Sequence, residues 1–432
     1  MIVYTHWRVV LMVLGAVVVT STVLPPLSAS ATLPASPSAS TTKIPDDPER
    51  ITLDEALLRF QEHSLELQRS RAQATEQSAR GAQDLAYPNP ELEVSHEPLF
   101  RGSDRAWEAY AVIHQPIEWP GHRSTAREVA TQTHAAAQAG AQVDSLRLVQ
   151  EAAQAYIAAA AAEAHLASIE ATLHLFERAD STYQRQYAEG EVSGYAIERF
   201  RVAYARIINQ HAEAELEVDD TRRTLNRLIQ ADTNGAALAP AELPDLDAEL
   251  PAVQEAQTRA AQQRPALMRI EAERATAEAA QRVAQQDRIP SPTLMGGYKR
   301  QSDGFEGMFF GAEIPIPAFD RNRPQIRAEQ ARLEAAETTH LLLQREIEDE
   351  VRTAHAAYTS VTERRTGLAT TGASPDALLS QAQSQYDEGE MELSDLLDAA
   401  ETYAESRSMA IDLKADQWMR YLDLLRAMGE TP

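Results

Sequence analysis

One stretch of this chain occurs twice, and it limits the fold more than any other feature. Gln184-Arg-Gln186-Tyr187-Ala-Glu189-Gly190-Glu191 returns 199 residues later as Gln383-Ser-Gln385-Tyr386-Asp-Glu388-Gly389-Glu390. Each copy interrupts a long Ala-, Gln- and Glu-rich run at its glycine, with apolar residues at helical spacing on both sides. Such a pattern predicts a tight turn joining two antiparallel helices. Two copies of one helical tip imply a chain folded twice on one plan.

Other landmarks keep nearly the same offset. Glu55-Ala56 is echoed by Glu255-Ala256, and Ser64-Leu-Glu-Leu67 by Arg264-Pro-Ala-Leu267. Pro88-Asn-Pro90 corresponds to Pro290-Ser-Pro292, and Pro116-Ile-Glu-Trp-Pro-Gly-His-Arg123 to Pro315-Ile-Pro-Ala-Phe-Asp-Arg-Asn-Arg323. Four landmarks in register establish an internal duplication, with expected repeats at 51–249 and 250–432.

Within each repeat the expected order is helix, hairpin, long helix, tip, return helix. The first helix begins after Thr52, an N-cap with Glu55 completing a capping box, and is expected to run to about Tyr87, before Pro88. Two extended segments follow, Glu91–Glu97 and Ala106–Gln115, around the turn-rich Arg101-Gly-Ser-Asp104. A helical pattern then continues to Tyr187 for about 65 residues, on the order of 100 Å at 1.5 Å per residue. Leu166, Ile169, Leu173, Phe176, Tyr183 and Tyr187 space along it as a coiled-coil stripe. A return helix is expected from about Tyr195 to Gln230, ending at Asp232-Thr-Asn-Gly235, and Pro240, Pro244 and Pro251 mark a linker. The second repeat places strands at Thr293–Arg300 and Phe305–Ile314, a long helix broken at Gly372-Ala-Ser374-Pro375, and a return helix ending near Met428.

Residues 1–31 read as a signal peptide, with Arg8, an apolar Val9–Leu24 and the small-residue site Ala29-Ser-Ala31. That apolar run is short for a spanning helix, which needs about 20 residues. Residues 32–50 are expected as a flexible Ser/Pro-rich leader. No later stretch is as apolar, so a membrane-inserted mature chain must enter by β-strands. The hairpin strands are near the length such a barrel strand needs, and equally suit a soluble hairpin.

The net charge of −25 argues against nucleic-acid binding. The absence of cysteine excludes disulfides, thiolate metal sites and cysteine nucleophiles. No phosphate loop, His-Glu-x-x-His element or nucleophile elbow is present, and no two of the 11 histidines pair at helical spacing. No enzyme, cofactor or resident metal is expected. Asp395 and Asp398 are the candidate functional residues: three apart, they share a helix face just past the second tip. Alone they read as solvated carboxylates in a first helical turn; about a symmetry axis they become rings that attract cations.

The whole mature chain resembles the TolC-type outer-membrane efflux family, through Thr52-Leu-Asp-Glu-Ala56, the paired prolines before each hairpin, the Pro-Ile elements after it and the Tyr-x-x-Gly tips. Gln115–Arg123 and Gly297–Arg300 with Ile314–Arg323 look most like the CzcC subgroup of heavy-metal cation efflux systems. The resemblance implies a mainly α fold with a small β part: duplicated coiled-coil helices, and four strands per chain that close a twelve-stranded outer-membrane barrel in a homotrimer over a periplasmic tunnel. It implies a channel entrance at Asp395 and Asp398, tip packing by Tyr187 and Tyr386, and docking of a periplasmic adaptor at Gly190, Glu191, Val192, Ser193, Gly389, Glu390 and Met391. It also implies an inner-membrane transporter of the resistance–nodulation–division class and contact with outer-membrane lipid. The family's Arg five residues beyond the second tip tyrosine is Met391 here, so an Arg lock at that position is not expected. The expected function is a passive efflux duct for divalent metal cations. The same duct for drugs or type I protein export, and a soluble periplasmic coiled-coil scaffold, are the alternatives.

Overall fold

The computed structural model describes residues 49–432 except 84, 231–237, 247 and 373. The signal peptide, the leader up to residue 48 and the helix end expected at 232–235 lie outside the described residues. The element order is β1 (Glu49–Ile51), α1 (Leu53–His63), α2 (Leu65–Gln83), β2 (Glu91–Arg101), β3 (Asp104–Pro116), α3 (His122–Glu189) and α4 (Gly194–Leu228). After β4 (Leu238–Pro240), the second repeat gives α5 (Val253–Gln263), α6 (Pro265–Gln286), β5 (Thr293–Gln301), β6 (Glu306–Glu313), α7 (Arg323–Thr370), α8 (Pro375–Asp387) and α9 (Leu393–Met428).

Local chemistry explains most of the boundaries. The Thr52 hydroxyl accepts from the Glu55 N–H and the Glu55 carboxylate accepts from the Thr52 N–H, the expected capping box. Ser374 caps α8 by accepting from Ala377 N, with Pro375 at the first helical position. The single first helix expected as far as Tyr87 is two helices. Ser64 leaves the helical region (φ −59°, ψ 116°), and its hydroxyl accepts from Leu67 N at 3.3 Å to start α2. Arg264 makes the same break ahead of Pro265.

Two further expectations are corrected. Glu49 and Arg50, assigned to the flexible leader, pair as β1 in parallel with Leu238 and Ala239 of β4, inside the expected linker. The rest of that linker is strapped down: Trp418 Nε1 donates to Pro244 O at 2.8 Å, and Asp245 meets both Arg365 and Lys414 at 2.9 Å. The coiled-coil stripe of α3 is also displaced. Phe176 and Tyr183 are buried, but Ser168, Thr172, Leu175 and Ala179 share the buried line, while Leu166 and Ile169 are only partly covered. Small residues win those positions because they let neighbouring helix backbones approach closely.

The four hairpin strands form one antiparallel sheet of order β2-β3-β5-β6, so both hairpins join through β3 and β5 and, among the described residues, the outer edges of β2 and β6 are unpaired. The turn from sheet to helix is fastened across the repeats: Ile117 N donates to Pro292 O at 2.8 Å, Trp119 Nε1 to Pro290 O at 2.9 Å, and His122 pairs with Asp287 at 2.9 Å. Farther along, Phe60, Tyr156, Ile157, Leu225 and Leu422 fill a central core. Phe176, Tyr183, Ile197, Phe200 and Leu396 fill a second core near the tips.

The Tyr156 hydroxyl is buried and donates toward Ile51 O and Glu242 O, tying β1 and the linker to α3. Tyr156→Phe should therefore cost about 1 kcal/mol, read as a lower melting temperature by circular dichroism. Lys414, by hydrogen bond and charge, and then Arg365 hold the Asp245 carboxyl below its ordinary range. A depressed carboxyl contributes stability that is present above its unfolded pKa and is lost as pH falls through the lower folded value. Asp245→Asn should lower stability by less than about 1 kcal/mol at neutral pH, since the group is exposed. That difference should shrink in melts as the pH is lowered from the ordinary aspartate range down through the lower folded value.

Candidate functional site

The two tips are built by the same backbone bonds. Gly190 (φ 81°) and Gly389 (φ 74°) end α3 and α8 in the left-handed region, where a side chain would be strained. Gly190 N donates to Tyr187 O and Glu191 N to Gln186 O, at 3.1 and 2.9 Å. Gly389 N and Glu390 N repeat this to Tyr386 O and Gln385 O, at 3.0 and 2.8 Å. Ser193 then caps α4 through Ala196 N at 3.2 Å. Glu392, its equivalent, stands at the start of α9 without a side-chain cap bond.

Around these turns Glu191, Ser193 and Glu390 are exposed, whereas Val192 and Met391 pack against the tip core. Met391 thus fills an apolar contact where the family pattern has a charge. The two tip tyrosines are not alike. Tyr386 packs on the core with its hydroxyl buried and, among the described residues, unpartnered, and burial, then Tyr183 and Asp387, raises its phenol pKa. Tyr187 is exposed, its hydroxyl only reaching toward Gly194.

Asp395 and Asp398 both lie exposed on the first turns of α9. Asp395 has no side-chain partner among the described residues. Asp398 Oδ1 accepts from Arg199 Nη2 of α4 at 3.2 Å. Farther from the tip, seven residues on along α4 and three along α9, Arg206 binds Glu401 at 2.8 Å. These contacts bridge a groove of about 1350 Å³ between α3, α4 and α9. Its floor carries Ile169, Phe176, Ile207 and Leu397, and Glu405, Asp412 and Asp416 add to its acidic wall. His165 of α3 closes on Asp412 at 3.0 Å.

Neither Arg199 nor Arg206 was singled out from sequence. The duplication held the signal for the first: Arg199 precedes Asp398 by the same 199 residues that separate the tips. The ion pair therefore joins equivalent positions of the two repeats, with charge inverted. Among the described residues no three His, Asp or Glu side chains group as a metal site, and no helix is long and apolar enough to cross a membrane.

Residues 257–430 match the family described as outer membrane efflux protein. The chain has the fold of solved outer-membrane channels. It is similar to the CmeC outer membrane channel of Campylobacter jejuni, at 15% identity and TM-score 0.73 over 87% of this chain and 85% of that one. It is similar to the open-state MtrE outer membrane channel of Neisseria gonorrhoeae, at 18% identity and TM-score 0.71 over 88% and 89%. CusC, described in terms of transmembrane channel formation, matches at 18% identity and TM-score 0.72 over 91% and 99%. No curated protein matches the chain by sequence.

Because its hydroxyl is buried without a partner, Tyr386→Phe removes an uncompensated polar group. The variant should be as stable as the parent or more so, by up to about 1 kcal/mol, with slower amide exchange at Gln385–Glu390. A loss of stability would show that the hydroxyl has a partner in the assembled protein.

Proposed function

We propose that the chain is one subunit of a trimeric outer-membrane efflux duct, passive and non-enzymatic, of the outer membrane efflux protein family. The observation that carries this reading is the sheet. Its register puts Leu92, Val94, Phe100, Ile113, Tyr298, Met308 and Phe310 on one face, and all are exposed in the single chain. Glu91, Glu93, Glu97, Glu108 and Lys299 lie on the other face. An apolar outside and a charged inside are what a barrel strand requires. A soluble scaffold would leave that apolar face in water, so the lipid reading is favoured.

In the duct, the four strands of each copy contribute to the barrel and the long helices extend into the periplasm. An inner-membrane transporter of the resistance–nodulation–division class supplies the energy, and a periplasmic adaptor engages the tips at 190–193 and 389–391. Opening is iris-like: engagement splays the coiled-coil pairs at 180–199 and 379–400. In this chain the splaying must part Arg199 from Asp398 and Arg206 from Glu401. Divalent metal cations are the cargo favoured by the CzcC resemblance and by the acidic groove. The same duct serving drugs or exported proteins would leave the groove acidic as well.

The mature protein should fractionate with outer membranes and be extracted by detergent as a trimer; release by salt washing would instead indicate the soluble scaffold. In planar bilayers, Asp395→Ala with Asp398→Ala should reduce cation selectivity several-fold. Arg199→Ala with Arg206→Ala should raise the open fraction and, by unmasking Asp398 and Glu401, increase selectivity for cations.

A further inference from the structure

We propose that the groove between α3, α4 and α9 is a binding site for a drug-sized organic cation, an ammonium or amidinium group carried on an apolar body. The site lies within one subunit and stands apart from the duct reading. Its effect on opening rests on that reading.

The charges of the two walls recur every seven residues, close to two helical turns, and so keep to one face. On α9 the line is Asp398, Glu405 and Asp412; on α4 it is Arg199, Arg206 and Glu213. Opposite charges therefore face each other only near the tip, where Arg199 meets Asp398 and Arg206 meets Glu401. Farther on, α4 turns acidic at Glu213 and Glu217 while the α9 wall stays acidic at Glu405, Asp412 and Asp416. Three of these carboxylates have local partners: Asp412 meets His165 at 3.0 Å, Glu213 accepts from Asn209 at 2.7 Å and Asp416 pairs with Arg420 at 3.0 Å. The carboxylates of Glu217 and Glu405, on opposite walls, have no ion pair or hydrogen bond among the described residues. Arg364 of α7 also reaches the lining and pairs with none of these groups. Like charges across a cleft repel, and a cation lodged between the walls relieves that repulsion.

The floor decides which kind of cation. Phe176 and Ile207 are buried beneath the groove, and Met409 and Val202 stand 53% and 70% exposed along it. A hydrated metal ion gains nothing from such contacts, and among the described residues no three His, Asp or Glu side chains group to hold a bare one. A second copy of the chain is a poor occupant, since it brings a net charge of −25 to an acidic surface. The arginines already in the groove display the chemistry that fits: each carries an apolar stem and delivers its guanidinium to a carboxylate. At about 1350 Å³ there is room for a ligand of the size that sites of roughly 300–1,000 Å³ hold. Opening, in the duct reading, parts α4 from α9, so a cation held between them favours the closed form.

Ethidium, an aromatic cation that brightens in apolar surroundings, is the probe. Full-length mature protein in dodecyl maltoside, an uncharged detergent, should bind it saturably at one site per chain, above the signal of micelles alone. Glu217→Gln/Glu405→Gln should weaken binding about tenfold and Met409→Gln about threefold, both with unchanged melting temperatures. Equal binding of the anionic dye anilinonaphthalene sulfonate, or ethidium binding that both variants leave intact, would overturn the site. So would complete displacement by magnesium at matched ionic strength with Met409→Gln having no effect, the mark of a loose ion atmosphere. In planar bilayers ethidium should lower the open fraction of the parent and leave that of Glu217→Gln/Glu405→Gln unchanged. A parent whose open fraction ignores bound ethidium would overturn the link to opening. Protein that binds ethidium as expected but carries no current would overturn the duct and leave the site standing.

Discussion

The outer edges of β2 and β6 present backbone N–H and C=O groups that the chain itself does not satisfy. In water such edges are a liability; in hydrocarbon each unmet group costs several kcal/mol. The exposed apolar face of the same sheet, with Phe310 and Val94 among its largest projections, is equally unsuited to water. Neither problem is solved by the long helices, which never approach the length of apolar sequence a spanning helix needs. The sheet becomes tenable only as an arc of something closed, and the proposed assembly follows from that requirement.

The helical part is subordinate to this constraint. The proline-bounded connectors tie the first repeat's sheet-to-helix turn onto the second repeat's helix-to-sheet turn, through Ile117 and Trp119 against Pro292 and Pro290. The direction in which α3 leaves the sheet is thereby set by the same residues that order the strands. Farther away, β1, β4 and the strapped linker around Asp245 form a belt across α3, α7 and α9. At the far end the tips are held only by side-chain packing and a few exposed ion pairs, so they are the part of the subunit that local forces can rearrange at least cost.

How much of this was legible in the chain depends on how local the cause is. The tips, the Thr52 capping box, the Ser374 restart and the strand pairs flanked by prolines each rest on residues within a few positions of one another, and each was readable. The break at Ser64 was missed because a serine inside a helical pattern is ambiguous until its hydroxyl is seen to cap Leu67. β1 and β4 were missed because three-residue strands, 187 residues apart from Ile51 to Leu238, carry no periodicity. The α3 stripe was misjudged by favouring large apolar residues over Ser168, Thr172 and Ala179, where close helix approach selects small ones. At the candidate entrance Asp395 and Asp398 were visible as a pair, but the partner of Asp398 lay across the duplication.

That inversion of charge between equivalent places has an outcome for how the mouth of a ring would be felt from outside. Arg199 offsets Asp398 at the same level of each subunit, while Asp395 is matched by Ala196 in the other repeat. In the proposed trimer, what looks like two tiers of negative charge would therefore be one tier of three, with a nearly neutral tier beside it. Beyond about 8–10 Å salt screens what remains, so a cation would be sorted at the threshold itself and not gathered from a distance.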